Sequence, residues 1–241
     1  MRSLIICLTL FTILSNLGCL GIEKGKPFEH VAPGNWRGVF IVEGEKIPIT
    51  FNINSSEEGQ PQNFVFFNGE HQLQSDSLRF WGDTVYVYFD DAQSHLRLIY
   101  EVNLMEGHWF DKTEKSYPIS FQAQNAQTHR FPNIRMTPVD NITGTWAVKA
   151  IVSQDSTLET QLRIATEKNK ATGSLVIDNN TSIPLEGTIQ GDKIYLSGFD
   201  GRHICLFNAT IADLTALHEG VLIINNESMF CTAQVIAGVG Q

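Results

Sequence analysis

The sequence is poor in cysteine, poor in charge and without a basic face. Its four cysteines are Cys7, Cys19, Cys205 and Cys231, and no two of them form a C-x-x-C pair. A dithiol reductase needs a nucleophilic thiolate with a resolving cysteine beside it, so that chemistry is excluded from this chain. Charged residues make up 18% of the 241 residues. Lys and Arg number 17 against 26 Asp and Glu, a net charge of −9. Nucleic acid, bound through phosphate contacts, is therefore not an expected partner. The seven histidines contain no H-x-H or H-x-x-x-H pair, and the acidic residues lack EF-hand spacing, so no metal site is expected. No Gly-rich loop precedes a helix, and no cofactor is implied.

What the chain does have is apolar residues, at 42%, with 15 phenylalanines and 19 glycines. That composition excludes a disordered acidic tail and points to a folded β-rich body with many turns. The one long apolar run, Leu4–Leu14, is too short to span a bilayer. With Arg2 before it, it reads as the core of an export signal covering residues 1–18. Leu17-Gly18-Cys19 resembles the end of a bacterial lipobox, although Asn16 stands where an aliphatic residue is usual. The resemblance implies lipidation at Cys19, a spacer over 19–34, and a body tethered to the periplasmic side of a bacterial membrane.

The body alternates with a period of two. Ile47, Ile49, Phe51 and Ile53 form one such set; Val85, Val87 and Phe89 another; Leu96, Leu98 and Tyr100 a third; Leu158, Leu162 and Ile164 a fourth. Such alternation buries one face of a strand and leaves the other to water. Asn68-Gly69, Gly82-Asp83, Glu106-Gly107, Gly191-Asp192, Asp200-Gly201 and Glu219-Gly220 read as turns. The stretch 209–219 reads either as a helical turn or as a hairpin. The chain also repeats itself. Trp36 precedes Trp146 by 110 positions, and Gly82-Asp83-Thr84-Val85-Tyr86 returns as Gly191-Asp192-Lys193-Ile194-Tyr195 at an offset of 109. These features predict an all-β chain of two tandem antiparallel barrel-like or sandwich domains, lipocalin-like meanders over 35–133 and 140–238.

Gly144-Thr145-Trp146 resembles the G-x-W opening of lipocalin-like barrels. A wider set of segments resembles the N-terminal, non-catalytic region of lipid-anchored TlpA-like, alkyl hydroperoxide reductase-like proteins of the thioredoxin family. It comprises Trp36-Arg37-Gly38, Asn68-Gly69-Glu70, Tyr117-Pro118-Ile119-Ser120-Phe121, Leu185-Glu186-Gly187 and Phe199-Asp200-Gly201-Arg202-His203. The resemblance implies an accessory module without the thioredoxin domain that carries the C-x-x-C pair. It thereby implies a non-catalytic envelope protein acting beside, or in place of, a thioredoxin-like partner. A barrel carrying a small apolar ligand is the alternative.

Cys205 and Cys231 fall on strand faces with apolar neighbours and admit three readings: a disulfide, two buried thiols, or a redox pair. Asp200 with His203 admits an acid–base reading or a hairpin turn, with Asp90 and His95 as a parallel in the first repeat. Trp36, Trp81, Trp109 and Trp146, with Phe80, Tyr86, Tyr88 and Phe110, belong either to the core or to a ligand or partner surface.

Overall fold

A computed structural model describes residues 31–237, apart from Gly59, Val102, 112–116, 133–135 and 179–180. The proposed signal, Cys19 and most of the spacer lie outside the described residues. The described chain is all-β, with a nine-stranded sheet followed by a closed eight-stranded barrel.

The first sheet contains β1 (Gly34–Val42), β2 (Glu45–Ser55), β3 (Pro61–Asn68), β4 (His71–Gln74), β5 (Ser77–Trp81), β6 (Thr84–Phe89), β7 (Ser94–Glu101), β8 (Leu104–Phe110) and β9 (Ile119–Asn125). It curls so that β1 pairs with both β2 and β9, while β4 and β5 end the order. Those two ends are consecutive in the chain. Ser75 hydrogen-bonds through its backbone N–H to Phe64 on β3, and Asp76 through its own to Tyr88 on β6. One segment therefore leaves one edge and joins the other. The second sheet runs β10 (Gly144–Ser153), β11 (Ser156–Glu167), β12 (Lys170–Val176), β13 (Ser182–Gln190), β14 (Lys193–Phe199), β15 (Ile204–Asp213), β16 (Ala216–Ile224) and β17 (Glu227–Ala237). It is an up-and-down meander, closed by β10 against β17. Its β13 is continuous where the first sheet has the broken pair β4 and β5.

The internal repeat is visible in side-chain geometry. Trp36 and Trp146 are fully buried, and each indole N–H donates to the carbonyl four residues back, Ala32 at 2.9 Å and Ile142 at 3.1 Å. Gly82 and Gly191 both turn their hairpins at positive φ, 60° and 61°. The period-two sets point inward as the sequence requires. Pro48 is buried as well, because Ser197 of the second barrel donates its hydroxyl to the Pro48 carbonyl.

Two expected turns lie inside strands instead. Glu106-Gly107 sits within β8, where a Cβ on Gly107 would come within 2.0 Å of the Arg97 carbonyl oxygen. Its glycine serves the close approach of β7. Glu219-Gly220 forms a β-bulge in β16, with Glu219 at φ 51° and the register shifting between Leu217 and Gly220. The stretch 209–219 is a hairpin, its turn capped by Asp213, which accepts from the Thr215 N–H at 2.7 Å.

Side chains fill the concave face of the first sheet and the interior of the second barrel. Phe40, Phe51, Phe64, Phe66, Phe121 and Trp109 fill the first, and Trp146, Leu162, Leu175, Leu196, Phe207 and Leu222 fill the second. The first core also takes Phe199, Ile204, Leu206 and Ile223 from the second sheet.

Candidate functional site

The β14–β15 hairpin brings Asp200 and His203 together, and the turn absorbs both. The Asp200 carboxylate accepts from the Arg202 N–H at 2.9 Å and the His203 N–H at 2.6 Å, and its other oxygen lies 3.0 Å from His203 Nδ1. An Asp in that position shapes the turn through local backbone bonds. The hairpin in turn docks on the first sheet: Ser94 donates its hydroxyl to the Gly201 carbonyl, and Arg202 donates to the Asp91 carbonyl at 3.0 Å. The parallel with Asp90 and His95 holds for the turn, since Asp90 follows β6 as Asp200 follows β14, but not for the carboxylate–imidazole contact. Asp90 receives its contact from a different direction, its N–H donating to the Asp76 carboxylate at 2.6 Å. His95 instead stacks on the outer face between Tyr88 at 5.6 Å and Phe110 at 4.9 Å. Burial and the neighbouring Arg97 hold the His95 imidazole below its usual pKa.

Cys205 and Cys231 are both free thiols inside the second barrel, which corrects the possible disulfide. Cys205 lies on β15 opposite Ile224 of β16, and Cys231 lies on β17 opposite Gly220 of β16. The strands that carry them flank β16, so their backbones stand roughly 9–10 Å apart before the offset along the strand is added. A disulfide requires Cα atoms about 4.4–6.8 Å apart. Burial pushes the Cys231 thiol up to about 12 and moves Cys205 in the same direction, with Asp200 and Cys231 adding to the effect. Neither is a thiolate nucleophile near neutral pH.

The four candidate tryptophans divide. Trp36, Trp109 and Trp146 are core residues at 1%, 2% and 0% exposure, whereas Trp81 is 71% exposed at the β5–β6 hairpin. Trp109 packs perpendicular to Phe199 at 6.2 Å, with its indole nitrogen buried and without a hydrogen-bond partner among the described residues.

The periodicity gives no hint of Arg130, which lies between the two sheets. It is 6% exposed. It donates to the Ser197 carbonyl at 2.6 Å and to the Phe67 carbonyl, and stands 3.5 Å from Glu186. Glu186 also accepts from the Gly69 N–H at 3.0 Å, and the Arg130 carbonyl accepts from Arg37 Nε at 2.9 Å. Burial lowers the Arg130 pKa to about 10, with Glu186 acting in the opposite sense. This constellation ties the curled first sheet to the second barrel.

Several grooves with room for a ligand open outward, one of about 470 Å³ lying where the first sheet meets the second barrel, past Glu70, His71, Arg163 and Lys170. Another groove of about 420 Å³ crosses β1, β9, β8 and β7, between Arg37, Ile99, Leu104, Glu106, Gln122 and Gln124. A third, of about 450 Å³, continues that one past Arg97, His108, Phe110 and Ser120 and shares Ile99, Glu106 and Gln122 with it. Among the described residues no group of three or more metal-binding side chains occurs.

The fold is that of an all-β protein in which a curled nine-stranded sheet is joined to a closed eight-stranded barrel, with grooves on its outer face. No family model matches the chain, and no curated protein matches it. It is similar to the crystal structure of a protein of unknown function from the DUF3598 family of Nostoc punctiforme, at 13% identity and a TM-score of 0.28, over 85% of this chain and 96% of that one. No residue role or activity is carried over from that likeness.

Proposed function

We propose that the chain is a non-catalytic binding module of the bacterial cell envelope, tethered through Cys19, and that it engages a protein partner on the outer face of its first sheet. The observation that supports this is the pair of grooves joined at Ile99, Glu106 and Gln122. They form a concave strip across adjacent strands, lined by aliphatic, amide and charged groups, as a recognition surface requires. The packed cores of the first sheet and the second barrel direct the choice toward this outer strip. On the resemblance given above, the partner is a thioredoxin-like envelope protein.

The test is site-specific photo-crosslinking in cells. A photoreactive side chain at Gln122 is expected to capture a discrete thioredoxin-like envelope protein. The same group at Gln161, exposed on the second barrel, is expected to capture nothing comparable. Equal products from both positions, or capture of no thioredoxin-like protein from Gln122, would overturn the reading.

A further inference from the structure

The strand registers place the exposed apolar side chains of the first sheet at one pole. Gly34 opens β1 opposite Ile53, and Trp36 faces Asn125 at the end of β9. Leu104 faces Gln124 on β9 and Glu101 on β7. Ile99 faces Thr84, and Thr84 faces Trp81. The chain therefore enters the sheet at the same pole that carries Trp81, Ile99 and Leu104. These are 71%, 48% and 53% exposed, and Phe80 beside them is 41% exposed. The opposite pole bears Asn68, Asp91 and Ser94, all bonded to the β14–β15 hairpin. Among the described residues, the second barrel thus covers one pole and leaves the other uncovered.

We propose that the tip of the β5–β6 hairpin at this uncovered pole is a membrane-contacting surface, with Trp81 and Phe80 seated at the headgroup level of a bilayer beside the groove that takes the partner. The inference rests on the envelope tether proposed above. The segment preceding Val31 carries the apolar run Leu4–Leu14 and Cys19, and it joins the body at this pole. Val31, Ala32 and Pro33 already pack on the body, and residues 20–30 span at most about 40 Å when extended. A tether of that reach keeps the body near the membrane and leaves its orientation free. An indole at a hairpin tip sets the orientation, because its ring is apolar and its N–H is wet at the interface. Asp83 in the turn and Arg79 on β5 flank the hairpin tip, one charge of each sign. That balance favours zwitterionic over anionic headgroups.

The three buried tryptophans make Trp81 its own reporter. The full chain and its Cys19→Ala variant would each be mixed with phosphatidylcholine vesicles brominated just below the headgroup. Flotation and tryptophan emission would be read together. The expected result is a blue shift and loss of emission on lipid, both absent in Trp81→Phe. Unchanged emission in a chain that floats with the vesicles overturns the membrane surface and leaves the tether standing. Equal flotation of wild type and Cys19→Ala overturns the tether, and quenching in that case supports the surface alone. A blue shift that depends on protein concentration without lipid assigns the pole to a second copy of the chain and overturns the proposal.

Discussion

The two thiols of the second barrel show how burial decides the chemistry of a residue. A cysteine in an exported protein suggests a disulfide, but here strand placement holds Cys205 and Cys231 apart and the apolar interior keeps each protonated. Their ordinary pKa is 9.0, and the folded values are higher. A group whose pKa rises on folding stabilises the fold fully below its unfolded pKa, and that contribution is lost as pH climbs toward the folded value. Each thiol should cost about 1.4 kcal/mol of stability per pH unit above roughly pH 9. Urea unfolding measured from pH 8 to 10.5 should therefore show a steeper alkaline loss in the wild type than in a Cys205→Ala/Cys231→Ala chain. Tyr100, whose pKa burial and Asp83 also raise, is present in both chains and drops out of the difference. Identical slopes would show that the thiols ionise freely in the folded barrel.

At the scale of the strand, the two repeats differ mainly in one element. β13 runs unbroken between β12 and β14, whereas its counterpart is divided into β4 and β5 at Ser75-Asp76. The division is held by a reciprocal pair: the Ser75 N–H donates to the Phe64 carbonyl at 2.9 Å, and Ser75 Oγ accepts from the Phe64 N–H at 3.0 Å. Ser75→Ala leaves that buried N–H without its acceptor, a cost of about 1–3 kcal/mol. Hydrogen exchange should show the Phe64 amide losing protection while amides of β10–β17 keep theirs; unchanged protection at Phe64 would remove Ser75 from this role. Alternation, tight turns and the 110-residue repeat were legible because they are local or recur in the chain, and Trp36 with Trp146 marked equivalent strands correctly. The break at Ser75 was not legible, since whether a segment pairs with one strand or two depends on neighbours brought in by closure. Arg130 escaped for the same reason: its partners Phe67 and Ser197 lie 63 and 67 positions away, and no spacing rule links them. Glu106-Gly107 carried the right residue for a turn and a different reason for it, the close approach of β7.

Across the whole molecule, each sheet has its own core, but the second sheet adds Phe199, Ile204, Leu206 and Ile223 to the first, and Phe199 reaches furthest into the ring cluster. It ends β14 of the second sheet yet lies among Phe40 at 5.1 Å, Phe66 at 5.2 Å and Phe89 at 5.3 Å of the first. Its backbone is clasped by Asn68, which donates to the Phe199 carbonyl at 2.9 Å and accepts from its N–H at 3.2 Å. With Arg130 bonded to both sheets nearby, neither the first sheet nor the second barrel can loosen at this junction without exposing apolar surface and unpairing buried polar groups of the other. Unfolding should therefore be a single transition, with equal calorimetric and van't Hoff enthalpies. Phe199→Ala removes a ring from the first core through a change in the second sheet, at about 3–5 kcal/mol. The loss falls on the first sheet, so its melting should move below that of the second barrel and split the single peak in scanning calorimetry. Trp36 and Trp109 lie in the first core and Trp146 in the second, so single-tryptophan chains identify which of the two each peak belongs to. A wild type that already melts in two separate steps would show that the side chains added to the first core do not couple the two. A variant that keeps one transition at lower temperature would place the coupling instead in Asn68, Arg130 and the hairpin contacts around Ser94.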